Sequence, residues 1–165
     1  MVWRAWTVQR VLSLALVAAG ALAVAWTAAR GAAAQQPRER VVYMAAVEFR
    51  GSATAEQEPF PAAPLPAGGG YVLKPPDDSG RWEVEVYSWF PGTVVARQGE
   101  RLTLEIVGIN GREHPLHIEG YDVRDVVRRG ALTRLSFTAD RPGIYKIVCE
   151  VHRPAMQADL VVLPQ

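Results

Sequence analysis

The chain is 165 residues long, with 18 basic against 17 acidic side chains, 49% hydrophobic residues, three histidines and one cysteine. That length suits one domain, the apolar content is that of a folded protein, and a net charge of +1 gives no electrostatic reason to expect nucleic acid as a partner. A single cysteine excludes an intramolecular disulfide, a multi-cysteine zinc cage and a cysteine-ligated iron–sulfur cluster.

The charge is unevenly spread. Three of the 18 basic residues (Arg4, Arg10 and Arg30) and none of the 17 acidic ones lie in the first 34 positions, so the remainder is net −2. Residues 11–29 are uncharged and mostly apolar, and Ala32-Ala33-Ala34 precedes Gln35. A basic start, an apolar run and an Ala-x-Ala site describe an export signal. The apolar run is also close to the roughly 20 residues that span a bilayer, so a retained inner-membrane anchor is the competing reading. Arg4 and Arg10 keep the N-terminus inside in either case, which places residues 35–165 in the periplasm or another extracytoplasmic space.

Residues 35–80 read as an extension to the domain proper. Val41–Phe49 is an apolar run long enough for a strand. Residues 51–70 carry Pro59, Pro61, Pro64 and Pro66 before Gly68-Gly69-Gly70, a composition suited to an irregular, partly polyproline-like excursion that either wraps the domain or sits loose. From residue 81 the pattern becomes short alternating runs. Trp82, Val84 and Val86 alternate with Glu83, Glu85 and Tyr87; Leu102, Leu104 and Ile106 with Arg101, Thr103 and Glu105; Leu135 and Phe137 with Arg134, Ser136 and Thr138. Period-two patterning marks half-buried strands, and Pro91-Gly92, Asn110-Gly111, Gly130 and Pro142-Gly143 punctuate them. The expectation is an all-β sandwich of about seven or eight strands over 81–165.

All three histidines, the cysteine and Met156 fall between residues 114 and 156. Cys149, His152 and Met156 sit in a short stretch between two strand-like runs, so a loop holds thiolate, imidazole and thioether close together. That soft donor set favours copper over magnesium, calcium or manganese. A second imidazole has to come from His114 or His117. A lone cysteine is otherwise an ordinary buried thiol, although an exported protein gains little from a free one.

The run GIYKIVCEVHRPAM at 143–156 resembles the copper loop of the cupredoxins, and residues 108–123 resemble their upstream histidine strand. FPGTVVARQGERLTLEIVGING at 90–111 is similar to the family's preceding strands, and the resemblance extends from about Trp82 to Leu163. The likeness is strongest to the cupredoxin domain of cytochrome oxidase subunit II and nitrous oxide reductase. It implies a Greek-key β-sandwich and, position by position, His114, Cys149, His152 and Met156 as ligands of one mononuclear type 1 copper ion. A binuclear centre bridged by two cysteines is out of reach of a chain with one. Cys-x2-His agrees with the plastocyanin and amicyanin spacing, whereas His-x3-Met is one residue shorter than the first and one longer than the second. Asn110 is expected to pin the ligand loop near Cys149, or to be a plain Asn-Gly turn. His117, three residues from His114, is expected on the opposite face of the strand. Glu113, Glu119, Glu150 and Arg153 are expected on the solvated rim.

The resemblance implies an exported copper protein that passes single electrons between redox partners such as a cytochrome and a terminal oxidase or reductase. Docking is expected at the edge of His152 and at Pro154 and Ala155. Catalysis by this chain alone is not expected, because no nucleophile, base and orienting group stand at usable spacing. A copper carrier, or an accessory subunit anchored beside an oxidase through 11–29, would use the same ligands. Sequencing the mature N-terminus separates the two fates of the leader: a start at Gln35 means export with cleavage, and an intact leader in the membrane fraction means an anchor.

Overall fold

The alternating runs Leu102–Ile106 and Leu135–Phe137 alternate in burial in the computed structural model, which describes residues 38–65 and 67–165. The apolar stretch 11–29 and the Ala32–Ala34 site lie outside the described residues. Within them the chain forms ten strands: β1 Glu39–Thr54, β2 Tyr71–Lys74, β3 Arg81–Phe90, β4 Thr93–Arg97, β5 Glu100–Gly108, β6 Glu113–Ile118, β7 Val123–Arg128, β8 Leu132–Ala139, β9 Gly143–Cys149 and β10 Gln157–Leu163. No helix among the described residues is long and apolar enough to cross a membrane.

Two five-stranded sheets face each other, one in the order β2-β3-β1-β5-β8 and the other β4-β10-β9-β6-β7. The chain changes sheet at 91–92, 98–99, 109–112, 129–131 and 140–142, which gives the crossing connections of a Greek-key sandwich. Each strand sends every second side chain inward. Met44 and Ala46 of β1, Leu102, Leu104 and Ile106 of β5, and Phe137 of β8 meet Val94, Leu116, Ile118, Ile147, Leu160 and Val162 of the facing sheet. Such interdigitation between aligned sheets is what buries the apolar half of a period-two pattern.

Eight strands, β3 to β10, lie within 81–165, in line with the sequence pattern there. One expectation is corrected: the domain begins well before residue 81, because β1 and the short β2 belong to the sandwich. One compact unit runs over Pro37–Gln165, and β1 is the middle strand of its sheet. Its first half pairs in parallel with β5 (Val42 opposite Leu104) and its second half antiparallel with β3 (Phe49 opposite Val86). One long strand thereby serves two neighbours in succession, and the run Val41–Phe49 supplies apolar side chains to both faces.

The Pro-rich excursion wraps the domain. It turns back at Ala55, whose N–H donates to Gly80 O at 2.7 Å. Phe60 then stands edge-on to Trp82 with ring centroids 5.8 Å apart, and the Trp82 indole N–H donates to Glu58 O at 2.9 Å. This cover explains why Trp82 and Trp89, on opposite faces of β3, are both buried.

The far end of the sandwich is tied by an ion pair. Glu100, almost fully buried, accepts from Arg40 Nε at 2.8 Å and from the Arg97 N–H at 3.0 Å, joining the start of β1 to the β4–β5 turn. The Arg40 guanidinium, with the Arg97 N–H, holds the Glu100 carboxyl below its ordinary range against the opposing effect of burial. A carboxyl so depressed stabilises the fold above its unfolded-state pKa and ceases to do so as pH falls through its folded-state value. Glu100→Gln is therefore expected to cost about 1 kcal/mol at pH 7 in urea unfolding. The difference from the native protein is expected to shrink as the medium is made more acidic than about pH 4.

Candidate metal centre

Register places the site. In the β6–β9 pair Leu116 lies opposite Cys149 and Ile118 opposite Ile147, all four directed inward. His114 is two residues before Leu116 and faces the same way, so its imidazole enters the core beside the cysteine, at the end of β9. His152 follows from the loop that joins β9 to β10, and Met156 closes that loop immediately before β10.

The loop is braced by its own main chain. Cys149 N–H donates to Met156 O at 3.0 Å and Met156 N–H to His152 O at 2.9 Å, while Glu150 N–H reaches Pro115 O on β6 at 2.9 Å. Three donor atoms converge as a result. His114 Nδ1 lies 3.3 Å from His152 Nδ1, which in turn lies 3.4 Å from Cys149 Sγ, and the three fall within 4.8 Å of one another. Atoms that share an ion with bonds of about 2.0–2.3 Å stand roughly 3–4 Å apart. The spacing fits a common metal.

The tautomer of His114 follows from its other nitrogen. Nε2 is 3.0 Å from the carbonyl oxygen of Asn110, an acceptor only, so Nε2 carries the proton and Nδ1 presents its lone pair. Gly111 makes room for this. Its φ is +71°, and a Cβ there would sit 2.8 Å from both Cε1 and Nε2 of His114. His114, Cys149 and Met156 are fully buried and His152 is half-buried.

Burial sets the protonation of the donors. It pushes the Cys149 thiol above its ordinary range, against the main-chain N–H groups of Val151 and His152 that favour the thiolate. It also lowers His152, with the charge of His114 adding to the effect, which keeps that imidazole neutral and available as a ligand. A soft metal ion that replaces the thiol proton supplies the charge the buried sulfur otherwise lacks. Thiolate, two imidazoles and a buried thioether on the same loop make a donor set suited to copper.

Of the residues singled out in the sequence, His114, Cys149 and His152 are brought together, and Met156 is buried at the end of their loop. Asn110 departs from expectation. Its side chain does not hold the ligand loop but grips the main chain of β1 at Glu48, accepting from Glu48 N–H at 2.6 Å and donating to Glu48 O at 2.9 Å. The turn before β6 crosses between sheets, so its nearest free main-chain groups belong to β1. His117 lies on the outward face of β6, where Nδ1 is at ion-pair distance from Glu150 Oε1 (2.6 Å) without hydrogen-bond alignment. Arg153 Nη2 is 3.4 Å from its Nε2. Glu150 and Arg153, expected on the rim, thus fasten the loop to β6 from outside.

Two neighbours were missed in the sequence. Tyr87 stacks on His152, ring centroids 3.9 Å apart and planes within 8°. Glu48, opposite Tyr87 in the β1–β3 register, is buried with its carboxylate on Arg50 at 2.7 Å. The glycine triplet is the third unexpected contact. Gly69 N–H donates to Arg153 O and Tyr87 N–H to Gly70 O, so residues 68–70 run between β3 and the loop. An available signal was the phase of Glu48, which continues the inward series Met44, Ala46.

Residues 74–162 match the Cupredoxin-like domain, which is more than half of the chain, and the chain belongs to the cupredoxin family. No curated protein matches it. Among solved structures it is similar to the multicopper oxidase mgLAC, at 15% identity and a TM-score of 0.52, over 77% of this chain and 39% of that one. It is also similar to the copper nitrite reductase from Nitrosomonas europaea, at 12% identity and a TM-score of 0.51, over 78% of this chain and 42% of that one. A multicopper oxidase from Pseudomonas thermotolerans superposes with a TM-score of 0.51 at 13% identity, over 78% of this chain and 30% of that one. These likenesses are of fold, and the chain spans less than half the length of each.

The close fit of the triplet to the loop generates a test. Gly70 has φ +85°, and a Cβ there would fall on the His152 carbonyl oxygen and 2.9 Å from Ala155 Cβ. Gly70→Ala is expected to destabilise the fold by more than about 1 kcal/mol. It is also expected to shift the amide resonances of residues 149–156 while leaving those around Glu100 in place.

Proposed function

We propose that this protein is a mononuclear copper electron carrier, with Cys149 Sγ, His114 Nδ1 and His152 Nδ1 as principal ligands and the Met156 thioether as the weak axial one. The observation that carries the reading is the convergence of the three donors from two strands and a loop, in a buried position. A bound copper ion supplies one-electron chemistry between Cu(I) and Cu(II). The chain's own residues hold the ligand atoms in nearly one arrangement for both states. β6 and β9 fix His114 and Cys149, the loop hydrogen bonds fix His152 and Met156, and burial keeps water from the sulfur. A site that needs little rearrangement suits electron transfer.

A carrier fits better than an enzyme. Multicopper oxidases and nitrite reductases share the fold, and the described residues of this chain supply one cluster of donors. A cavity of about 350 Å³ is lined by Arg50, Ser52, Lys74, Arg81, Glu83 and Glu85, and by none of the donors. Full burial of Cys149 and Met156 also opposes the ready ligand exchange a copper-delivery protein needs. The basic start and the apolar run 11–29 support work outside the cytoplasm, between larger redox proteins such as a cytochrome and a terminal oxidase or reductase. Exposed Val151 and Pro154 beside His152 offer such partners an apolar contact.

Copper-loaded protein is expected to show an intense thiolate-to-copper absorption in the visible, the electron paramagnetic resonance of a single Cu(II), and a reversible one-electron couple. Cys149→Ala is expected to abolish the absorption. Rapid, complete loss of copper to a chelator in both oxidation states would instead favour a carrier of the metal itself.

A further inference from the structure

We propose that Tyr87, backed by Glu48, is a positioning residue that holds the His152 imidazole in its ligating orientation. The inference rests on the copper reading above and extends it to side chains outside the ligand set.

The geometry begins with the different ways the two imidazoles are held. His114 is fully buried, with Nε2–H on the Asn110 carbonyl. His152 is half-buried on a loop, and its ring Nδ1 is turned toward the other two donors. What fixes the plane of that ring is Tyr87. The two rings are parallel within 8° at 3.9 Å, whereas His114 and His152 are tilted by 53° at 5.2 Å. Tyr87 comes from β3, in the opposite sheet to β9 and β10, so the stack also joins the sheets at the metal-binding end. A stacked neutral ring resists rotation of the imidazole, covers one of its faces from water, and presents its electron-rich face to a ring that becomes more positive when metal binds.

Glu48 explains why Tyr87 stays in place. The two are direct partners across β1 and β3, and the Glu48 side chain is only 1% exposed. A carboxylate is costly to bury unless its partners repay it. Arg50 donates to Oε2 at 2.7 Å, and Oε1 has no well-formed hydrogen bond. The Tyr87 hydroxyl faces this carboxylate. Arg50 and the Tyr87 hydroxyl keep the Glu48 carboxyl below its ordinary range despite burial. Glu48 is fixed in turn by its main chain, both polar groups of which are taken by the Asn110 side chain. Asn110 is the residue whose carbonyl orients His114. Both imidazoles therefore refer back to one point on β1, His114 through Asn110 and His152 through Tyr87.

The test uses the full-length protein, native and as Tyr87→Phe and Tyr87→Leu. In the metal-free native protein the His152 ring protons are expected to show an upfield ring-current shift in the NMR spectrum, retained in Tyr87→Phe and lost in Tyr87→Leu. After loading with copper and reduction, release of Cu(I) to a chelator is expected to be roughly tenfold faster in Tyr87→Leu than in the native protein. Tyr87→Phe, which keeps the stacked ring but loses the hydroxyl that meets Glu48, is expected to fall between the two. Unshifted His152 protons in the native protein overturn the proposal without recourse to any variant, including the case in which Tyr87→Leu does not fold. A folded Tyr87→Leu with native release also overturns it. Failure of the native protein to give a thiolate-to-copper absorption counts against the copper reading instead, so the two failures are told apart.

Discussion

The register of β6 against β9 is the constraint on which the metal-binding end depends. With Leu116 opposite Cys149, the sulfur and the His114 imidazole both point between the sheets. A slip of one residue in either strand would turn one donor outward and abolish the cluster. The inward rows of the two strands oppose such a slip, since Leu116 and Ile118 of β6, or Ile147 of β9, would leave the core with it. The apolar core thus fixes the chemistry, although beyond Cys149, Met156 and Met44 no core residue offers a soft donor. His152 adds the third donor from a loop kept short by its own hydrogen bonds.

Burial has opposite consequences for the parts of this site. It holds a proton on the Cys149 thiol and removes one from His152. Metal-free, a protonated thiol and a neutral His152 are what the core tolerates. With a cation present, the thiolate becomes the favoured form and its negative charge is compensated at once. Glu48 extends the same logic outward, since its buried carboxylate is kept charged by Arg50 and by the Tyr87 hydroxyl. The sheet of β1 and β3 contributes no ligand, yet through Glu48, Tyr87 and the loop at Asn110 it controls how the ligands stand.

Much of this was legible in the sequence, for physical reasons. Alternation in Leu102–Ile106 and Leu135–Phe137 reads directly as strands because each has one face in the core. Cys149, His152 and Met156 are close in sequence, so a loop brings them together whatever the rest of the fold does. Other features were hidden because they are set by long-range contacts. β1 has apolar side chains on both faces and joins two neighbours in turn, which gives it no clean period; it was set apart as part of an extension. Tyr87 alternates with Glu83 and Glu85 and looked solvated, whereas its face turns inward at Trp89, where the second sheet begins to cover it. The grip of Asn110 on Glu48 spans 62 positions, and nothing local announces it.

The fold is shared with copper enzymes, so the fold by itself does not distinguish a carrier from a catalyst. The distinction lies in what the chain builds around the donors: a buried thiolate, two oriented imidazoles and a thioether at the end of a short, well-bonded loop. X-ray absorption at the copper edge of the loaded full-length protein tests that claim most directly. The account predicts a first shell of one short sulfur and two imidazole nitrogens, nearly unchanged on reduction. A shell of nitrogen and oxygen alone, with the Cys149 sulfur absent from it, would contradict the account.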